Sequence, residues 1–396
     1  MSNSATHWPF HAEDEIQAVN SVLRAGRTNY WTGTETRQFE KEFAAWIGTD
    51  YAIALMNGTV ALEAALYALD IGAGDEVITT SRTFIASASC IVMRGATPVI
   101  ADVDNITQNI TVETIKPCIT PRTKAIIVVH LAGWPADMPA IMTLAKQYNL
   151  RVIEDCAQAH GAMIENKLVG SFGDIGAFSF CQDKIMTTGG EGGMITTHDN
   201  FLWQKIWSMK DHGKNYEKAC VQKHPPGFRW LHDSFGTNWR MTEMQAAIGR
   251  IQLKKMNVWR ETRNQFAKIL NTRLSHVPGL RLTIPPSTLT HAYYKYYAFV
   301  IPESLNPEWN RDKIIDEMNQ LGIACFSGSC SEIYLEQAFI QNSTQAIQTK
   351  SIAKRLGQTS LMLLVHPTLT EIMINKVATA LENIMLKATN KNHIEV

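Results

Sequence analysis

The stretch YAIALMNGTVALEAALYALDIGAGDEVITT, residues 51–80, decides the fold. A β-rich run, Tyr51–Met56, ends in the turn Asn57-Gly58-Thr59. ALEAALYAL follows with helical spacing, and a second apolar run, Val77–Thr80, comes next. The order strand, turn, helix, strand repeats to about residue 200. Further β-like runs lie at Pro98–Asp102, Ala125–Leu131, Arg151–Asp155 and Ala177–Phe180, and MPAIMTLAKQYN before Leu150 reads as another helix. Several runs are apolar on both faces, as strands inside a parallel sheet are. The alternation predicts an α/β domain with a large, mainly parallel sheet.

Beyond this unit a helical stretch begins at Met241–Arg260, and HVPGLRLTIPPSTLTH (276–291), rich in Pro and Thr, reads as a boundary. A strand (Tyr296–Ile301), a helix (about 310–321), a strand (Ile323–Phe326) and an amphipathic helix (about 370–387) follow. The expected organisation is a large α/β domain with an N-terminal arm over 1–275 and a smaller C-terminal α+β domain over 276–396.

Composition narrows the function classes. The 396 residues are 45% hydrophobic and 19% charged, a globular balance. Lys+Arg and Asp+Glu are 37 each, so the chain has no electrostatic footprint for nucleic acid or an anionic membrane. No apolar run approaches the roughly 18 residues of a membrane span. The N-terminal MSNSATHWPFHAEDEIQ lacks the pattern of a secretory signal. Seven scattered cysteines read as reduced thiols, and Cys325 and Cys330 are not spaced as a zinc or redox pair. The expected location is the cytoplasm, with no metal site.

In open α/β sheets ligands bind beyond the carboxyl ends of the strands. Four places there carry polar chemistry. Asn57-Gly58-Thr59 opens a helix, and its free N–H groups and hydroxyl suit a phosphate; a plain turn with a threonine cap is the other reading. Glu154 and Asp155 end an apolar strand, where a buried carboxylate needs a cation or donors: a protonated pyridine nitrogen would serve, and so would a structural turn. His160 beside them reads as a core or supporting histidine. In GDIGAFSFCQDKIMTTGGEGGMITT (173–197) one lysine, Lys184, stands before a dense glycine turn. A lysine there can be desolvated, lose its proton and act as a nucleophile toward a carbonyl. In FGTNWRMTEMQAAIG (235–249), Asn238 and Arg240 precede a helix that Thr242 can cap; they are ligand donors or an ordinary helix entrance.

Taken together, TGTETRQFEKEFAAWIG, MNGTVALEAAL, GDEVITTSRTFIASASCIVMRGATPVIADVD, VVHLAGWPADM, VIEDCAQAHGA, FSFCQDKIMTTGGEGGMITT and GTNWRMTEMQAAIG resemble, in order and spacing, the sugar aminotransferases of the DegT/DnrJ/EryC1/StrS group. The resemblance runs from about Thr28 to the last helix. It implies the fold-type I scaffold of enzymes that use pyridoxal 5′-phosphate. Lys184 would bind the cofactor as a Schiff base, and Asp155 would keep its pyridine nitrogen protonated. Gln158 would lie near the ring hydroxyl, and Phe84 would stack on the ring. Gly58, Thr59 and Ser179 would hold the phosphate. Asn238 would reach that phosphate from the partner subunit, which implies a homodimer with shared sites.

The implied reaction is transamination from L-glutamate to a nucleotide-linked keto-deoxy sugar, with the cofactor cycling through pyridoxamine 5′-phosphate. The product would enter a surface polysaccharide such as the O-antigen of lipopolysaccharide, or a related glycan. A dehydratase branch of the family carries His where this chain has Lys184, which favours transamination. An aminotransferase acting on a cyclitol or other cyclic ketone is the alternative, and a non-catalytic cofactor-binding regulator stands further off.

The chain also departs from the family pattern at Asn57, at Thr80-Ser81-Arg82, at Gly189-Gly190, over 215–234, and at CFSGSCSEIY (325–334). Arg82, His224, Arg229 and His232 are candidate contacts for a nucleotide diphosphate, with a solvated loop as the other reading.

Overall fold

A computed structural model describes residues 7–342 and 349–389. Among them, seven strands form the large sheet: β1 (Tyr51–Leu55), β2 (Glu76–Thr80), β3 (Thr97–Ala101), β4 (Thr123–Val129), β5 (Arg151–Asp155), β8 (Ile175–Ser179) and β9 (Gly193–Thr197). A small hairpin, β6 (Met163–Ile164) and β7 (Lys167–Leu168), projects between β5 and β8. The sheet order is β1-β9-β8-β5-β4-β2-β3. The pairs β3–β2, β2–β4, β4–β5 and β5–β8 are parallel, and β9 runs antiparallel to both β8 and β1.

All six β-like runs of the α/β stretch are strands, within two residues of their expected ends. The period of two explains why they are apolar throughout. Ile53 and Leu55 of β1 join the core beneath the helices Gly58–Ala68 and Asn200–Lys210. Ala52 and Ala54 face the opposite core, built on Phe39 and Phe43 of the helix Glu35–Ile47. β1 therefore feeds two cores.

The helix Glu243–Leu274 begins at Thr242, whose hydroxyl accepts from the Gln245 N–H at 3.4 Å. Its early residues Ala246 and Met256 sit in the large-sheet core, while Phe266, Leu270 and Leu274 sit in the core of a second sheet. That sheet is antiparallel, with β10 (Leu280–Leu282), β12 (Tyr296–Val300), β13 (Cys325–Phe326) and β14 (Ser360–Leu363) in the order β10-β12-β14-β13. The helices Arg311–Gln320 and Glu371–Ala388 pack against it. The Pro-rich segment 276–291 contributes β10 here and β11 (Leu289–Thr290), which pairs with β6. β14 was not anticipated: it follows the helix Ser351–Thr359 without a turn residue to announce it.

The long helix approaches its neighbour closely at Gly249, where a Cβ would lie 2.6 Å from the ring of fully buried Phe39. Helix propensity alone favours Gly→Ala by roughly 0.5–1 kcal/mol, whereas overpacking costs about 1–3 kcal/mol. Gly249→Ala is therefore expected to lower the urea midpoint with the slope unchanged; a raised midpoint would show that the two helices separate at no cost.

Candidate active site

The site grows from the carboxyl end of β5. Strand alternation sends Glu154 and Asp155 to opposite faces of the sheet. Glu154 accepts from the N–H groups of Gly170 (2.8 Å), Phe172 (2.7 Å) and Gly173 (2.8 Å). It also contacts His130 Nε2 at 3.1 Å. His130 Nδ1 accepts from the Ala136 N–H, which leaves the Nε2 proton for Glu154. Burial pushes the Glu154 carboxyl up, but His130 and the backbone donors outweigh it and hold the group below its ordinary value. Glu154 is a structural acceptor. Cys156 lies near this pair, but the oxygens of Glu154 and the Nδ1 of His130 are already taken by hydrogen bonds, so the trio reads as a polar network rather than an ion cage.

Asp155 is buried with fewer donors. Its carboxylate accepts from Ser87 Oγ at 2.8 Å and from the Ala157 N–H at 3.1 Å. Ser87 lies 3.0 Å from Thr83 Oγ1, so Thr83, Ser87 and Asp155 form one line. Burial pushes the Asp155 carboxyl above its ordinary value despite the Ser87 bond. The protein thus holds a buried carboxylate that a cation would stabilise.

Lys184 sits in the connection between β8 and β9. Its N–H donates to the Cys181 carbonyl at 3.1 Å, and its own carbonyl accepts from the Trp8 indole at 2.7 Å. Its ammonium is 3.6 Å from Asp183 and lies over the Tyr294 ring, 5.1 Å from the centroid. It opens into a cavity of ≈ 560 Å³, lined also by Phe84, Gln158, Tyr294, Lys295 and Cys330. The Gln158 carbonyl accepts from the Ala132 N–H at 2.8 Å, which turns its NH₂ away as a free donor. Phe84 is 69% exposed, an open aromatic face at the cavity edge.

The phosphate candidates lie together at the start of the helix Gly58–Ala68. Asn57, not Thr59, is the cap: its side chain accepts from the Val60 N–H at 2.9 Å. That leaves the Thr59 hydroxyl exposed. A Cβ on Gly58 would lie 2.6 Å from the Ser179 Cβ, and one on Gly193 would lie 2.3 Å from the Asn57 carbonyl oxygen. The helix start is therefore pressed against the ends of β8 and β9. Asn238 is exposed and bridged to Asp211, outside the cavity of its own chain. Arg240 is a structural partner of Asp211 at 2.9 Å.

Arg82, His224, Arg229 and His232 are not brought to the cavity, and His160 keeps its core reading. Arg82 is fully buried and makes its contacts inside the protein, so it is not a diphosphate contact. His224 is held by the Lys218 carbonyl at 2.6 Å, and Arg229 and His232 stay exposed, away from the cavity. His160 lies between the Phe178 and Phe180 rings, pushed down to about 3 by burial and by Lys184 and Arg263 nearby, so it is a neutral core residue.

Sequence reasoning missed Lys295. Burial, with Arg263 and Lys184 nearby, pushes its ammonium down to about 8 against the opposing pull of Asp183. Among the described residues no carboxylate lies within salt-bridge distance of it. The available signal was a lysine inside the aromatic run Tyr293–Tyr297.

The profile of the DegT/DnrJ/EryC1/StrS aminotransferase family matches residues 9–382. The chain is 38% identical over 384 residues to UDP-N-acetyl-3-dehydro-alpha-D-glucosamine 3-aminotransferase of Acidithiobacillus ferrooxidans, covering 96% of each protein. It is 38% identical to GDP-perosamine synthase of Caulobacter vibrioides, covering 88% of this chain and 90% of that protein. The crystal structure of an aminotransferase from Psychrobacter cryohalolentis superposes with a TM-score of 0.94 at 54% identity, covering 96% of this chain and 98% of that one. The architecture is that of the fold-type I PLP-dependent transferases.

The two carboxylates should part company in stability. Glu154, held low, stabilises the fold above the ordinary carboxylate range and loses that contribution as pH falls through its lowered value. Asp155, held high, carries a charge the cofactor-free fold disfavours. In thermal melts without cofactor at neutral pH, Glu154→Gln is expected to cost about 3–5 kcal/mol, and Asp155→Asn to melt no lower than the parent. The reverse order would exchange their roles.

Proposed function

This chain belongs to the DegT/DnrJ/EryC1/StrS aminotransferase family, and from that premise we propose that it transfers an amino group from L-glutamate to a nucleotide-linked keto-deoxy sugar, with pyridoxal 5′-phosphate held at Lys184. The carrying observation is that Lys184 opens into the cavity while its charge acts on a buried, donor-poor Asp155. Relatives that act on UDP- and GDP-linked sugars support the acceptor class. A role in surface polysaccharide or O-antigen assembly follows from that acceptor.

The residues fit the cofactor. Asp155 offers the anion that a protonated pyridine nitrogen needs, and it keeps that proton in place. Gln158 offers an NH₂ to the ring hydroxyl, and Phe84 offers a face to the ring. The helix start at Gly58 and Thr59, with Ser179 pressed against it, offers N–H and hydroxyl donors to the phosphate. When bound, the cofactor supplies an electron sink for the charge left on a deprotonated carbon. Lys184 takes the proton from the donor α-carbon as a neutral amine and returns it on the other side of the transfer. Lys295 is the cation for the donor carboxylate. Asn238 reaches the phosphate of the partner subunit in a homodimer, a reading supported by its exposure. The reading includes a division near 275/276, supported by the position of β10 and β12–β14 after it, and a cytoplasmic location.

The test is the absorbance spectrum of the purified protein with L-glutamate, beside Lys184→Ala. A cofactor bound through lysine absorbs at roughly 400–430 nm, and its aminated form at roughly 330 nm. Glutamate should convert the first band to the second in the parent and not in the variant. No band after adding pyridoxal phosphate would end the reading. A screen of nucleotide-linked keto sugars with a keto-inositol control then separates the sugar reading from the cyclitol one.

The pH profile tests Lys295. It is charged below about 8 and neutral above, so the KM for L-glutamate should rise about tenfold per pH unit beyond that point. Lys295→Met should raise KM at neutral pH and flatten the profile. An unchanged profile in the variant would remove Lys295 from donor binding.

A further inference from the structure

The guanidinium of Arg82 is buried without a carboxylate within salt-bridge distance among the described residues, an arrangement that is unfavourable unless its bonds hold something in place. Its acceptors are all neutral: Gln108 Oε1 at 2.9 Å, Ser360 Oγ at 3.0 Å and Ser331 Oγ. The Tyr297 ring lies 5.6 Å away. The same partners seize one loop of the C-terminal part. Ser360 Oγ donates to the Ser327 carbonyl at 2.6 Å, and Tyr297 Oη accepts from the Ser329 N–H at 2.9 Å. The backbone on either side of Arg82 joins in. Thr83 N–H donates to the Cys330 carbonyl, and Ile333 N–H donates to the Ser81 carbonyl, both at 3.1 Å.

That loop partitions two cavities. Gly328, Ser329 and Cys330 line both the cavity at Lys184 and a second one of ≈ 460 Å³ beyond it. An amino acid fits in the first. A nucleotide-linked sugar is larger, and the second cavity offers it room past the partition. On its other side Arg82 adjoins Thr83, the first member of the Thr83–Ser87–Asp155 line.

We propose that Arg82 is a positioning residue that fixes the 327–333 loop as the acceptor-side wall of the active site and ties that wall to the segment supporting Asp155. Resting on the aminotransferase reading above, it adds that acceptor binding depends on a buried cation touching neither substrate nor cofactor. A methionine would fill similar volume without directional bonds, and a lysine would keep the charge without the planar fork.

The test compares the parent, Arg82→Met and Arg82→Lys as full-length, cofactor-loaded proteins. Hydrogen exchange of the amides over 327–333 should be at least tenfold faster in Arg82→Met, with β4 and β5 unchanged and Arg82→Lys between. The glutamate-driven absorbance change should stay within about twofold, while the KM for the keto-sugar acceptor rises at least tenfold with kcat nearly constant. Unchanged loop exchange overturns the proposal, and so does an equal loss in both half-reactions with faster exchange throughout the large sheet. If Arg82→Met does not fold, Ser331→Ala with Ser360→Ala removes two acceptors and tests the same loop. A parent that aminates no nucleotide-linked sugar would end the functional reading, while the exchange result would still decide the role of Arg82.

Discussion

Two adjacent carboxylates at the end of a buried strand cannot be treated alike by a fold. On β5 the strand period separates them. Glu154 is surrounded by the N–H groups of the 170–173 turn and by His130, and so anchors the chain as it leaves the hairpin β6–β7 for β8. With β8 fixed beside β5, Ser179 meets Gly58, and the Lys184 connection is fixed beside Asp155. Asp155 receives one hydroxyl and one N–H, too little to satisfy a buried charge. The saturated carboxylate builds the site, and the unsaturated one is left for chemistry.

The same contrast explains how far the sequence could be read. The strands of the large sheet were legible because burial on both faces makes continuous apolar runs, and the Thr242 cap because its side-chain chemistry is local. The Glu154–Asp155 pair was visible as a site, but the division of labour within it depends on partners distant in the chain. Arg82 looked like a free cation beside a strand end, and only the arrival of Ser331 and Ser360 from far along the chain makes it interior. Lys295 stood out only as a lysine in an aromatic run, since its burial beside Lys184 and Arg263 depends on segments distant in the chain. β14 was hidden by brevity, since four residues after a helix carry no periodicity of their own.

The cleft joins two kinds of architecture. Lys184, Asp155 and the Gly58 turn stand on the large sheet, whose rigid strand ends suit a fixed cofactor. The opposite wall comes from loops of the antiparallel sheet, around Gly328 and Cys330, where change in sequence disturbs little of the core. Two of the departures from the family pattern, 325–334 and the exposed 215–234 segment, lie away from the large-sheet strand ends, and the lysine and its carboxylate keep to the pattern. The proposed lysine chemistry and the proposed acceptor-side wall lie on different parts of the chain, which lets one vary while the other stays fixed.

The antiparallel strand β9 has a consequence for how the protein comes into being. β1 emerges early from a ribosome, yet its hydrogen-bond partner in the large sheet is β9, which follows much later. Until β9 arrives, β1 has no strand partner, and the turn at Asn57-Gly58 lacks Gly193 to press against. Such a pairing has high contact order and closes slowly. The lysine connection lies between β8 and β9, so the proposed phosphate cradle and Lys184 are closed in by the same strand. A nascent chain halted before β9 would already carry Asp155 and Lys184, with its first strand still unpaired.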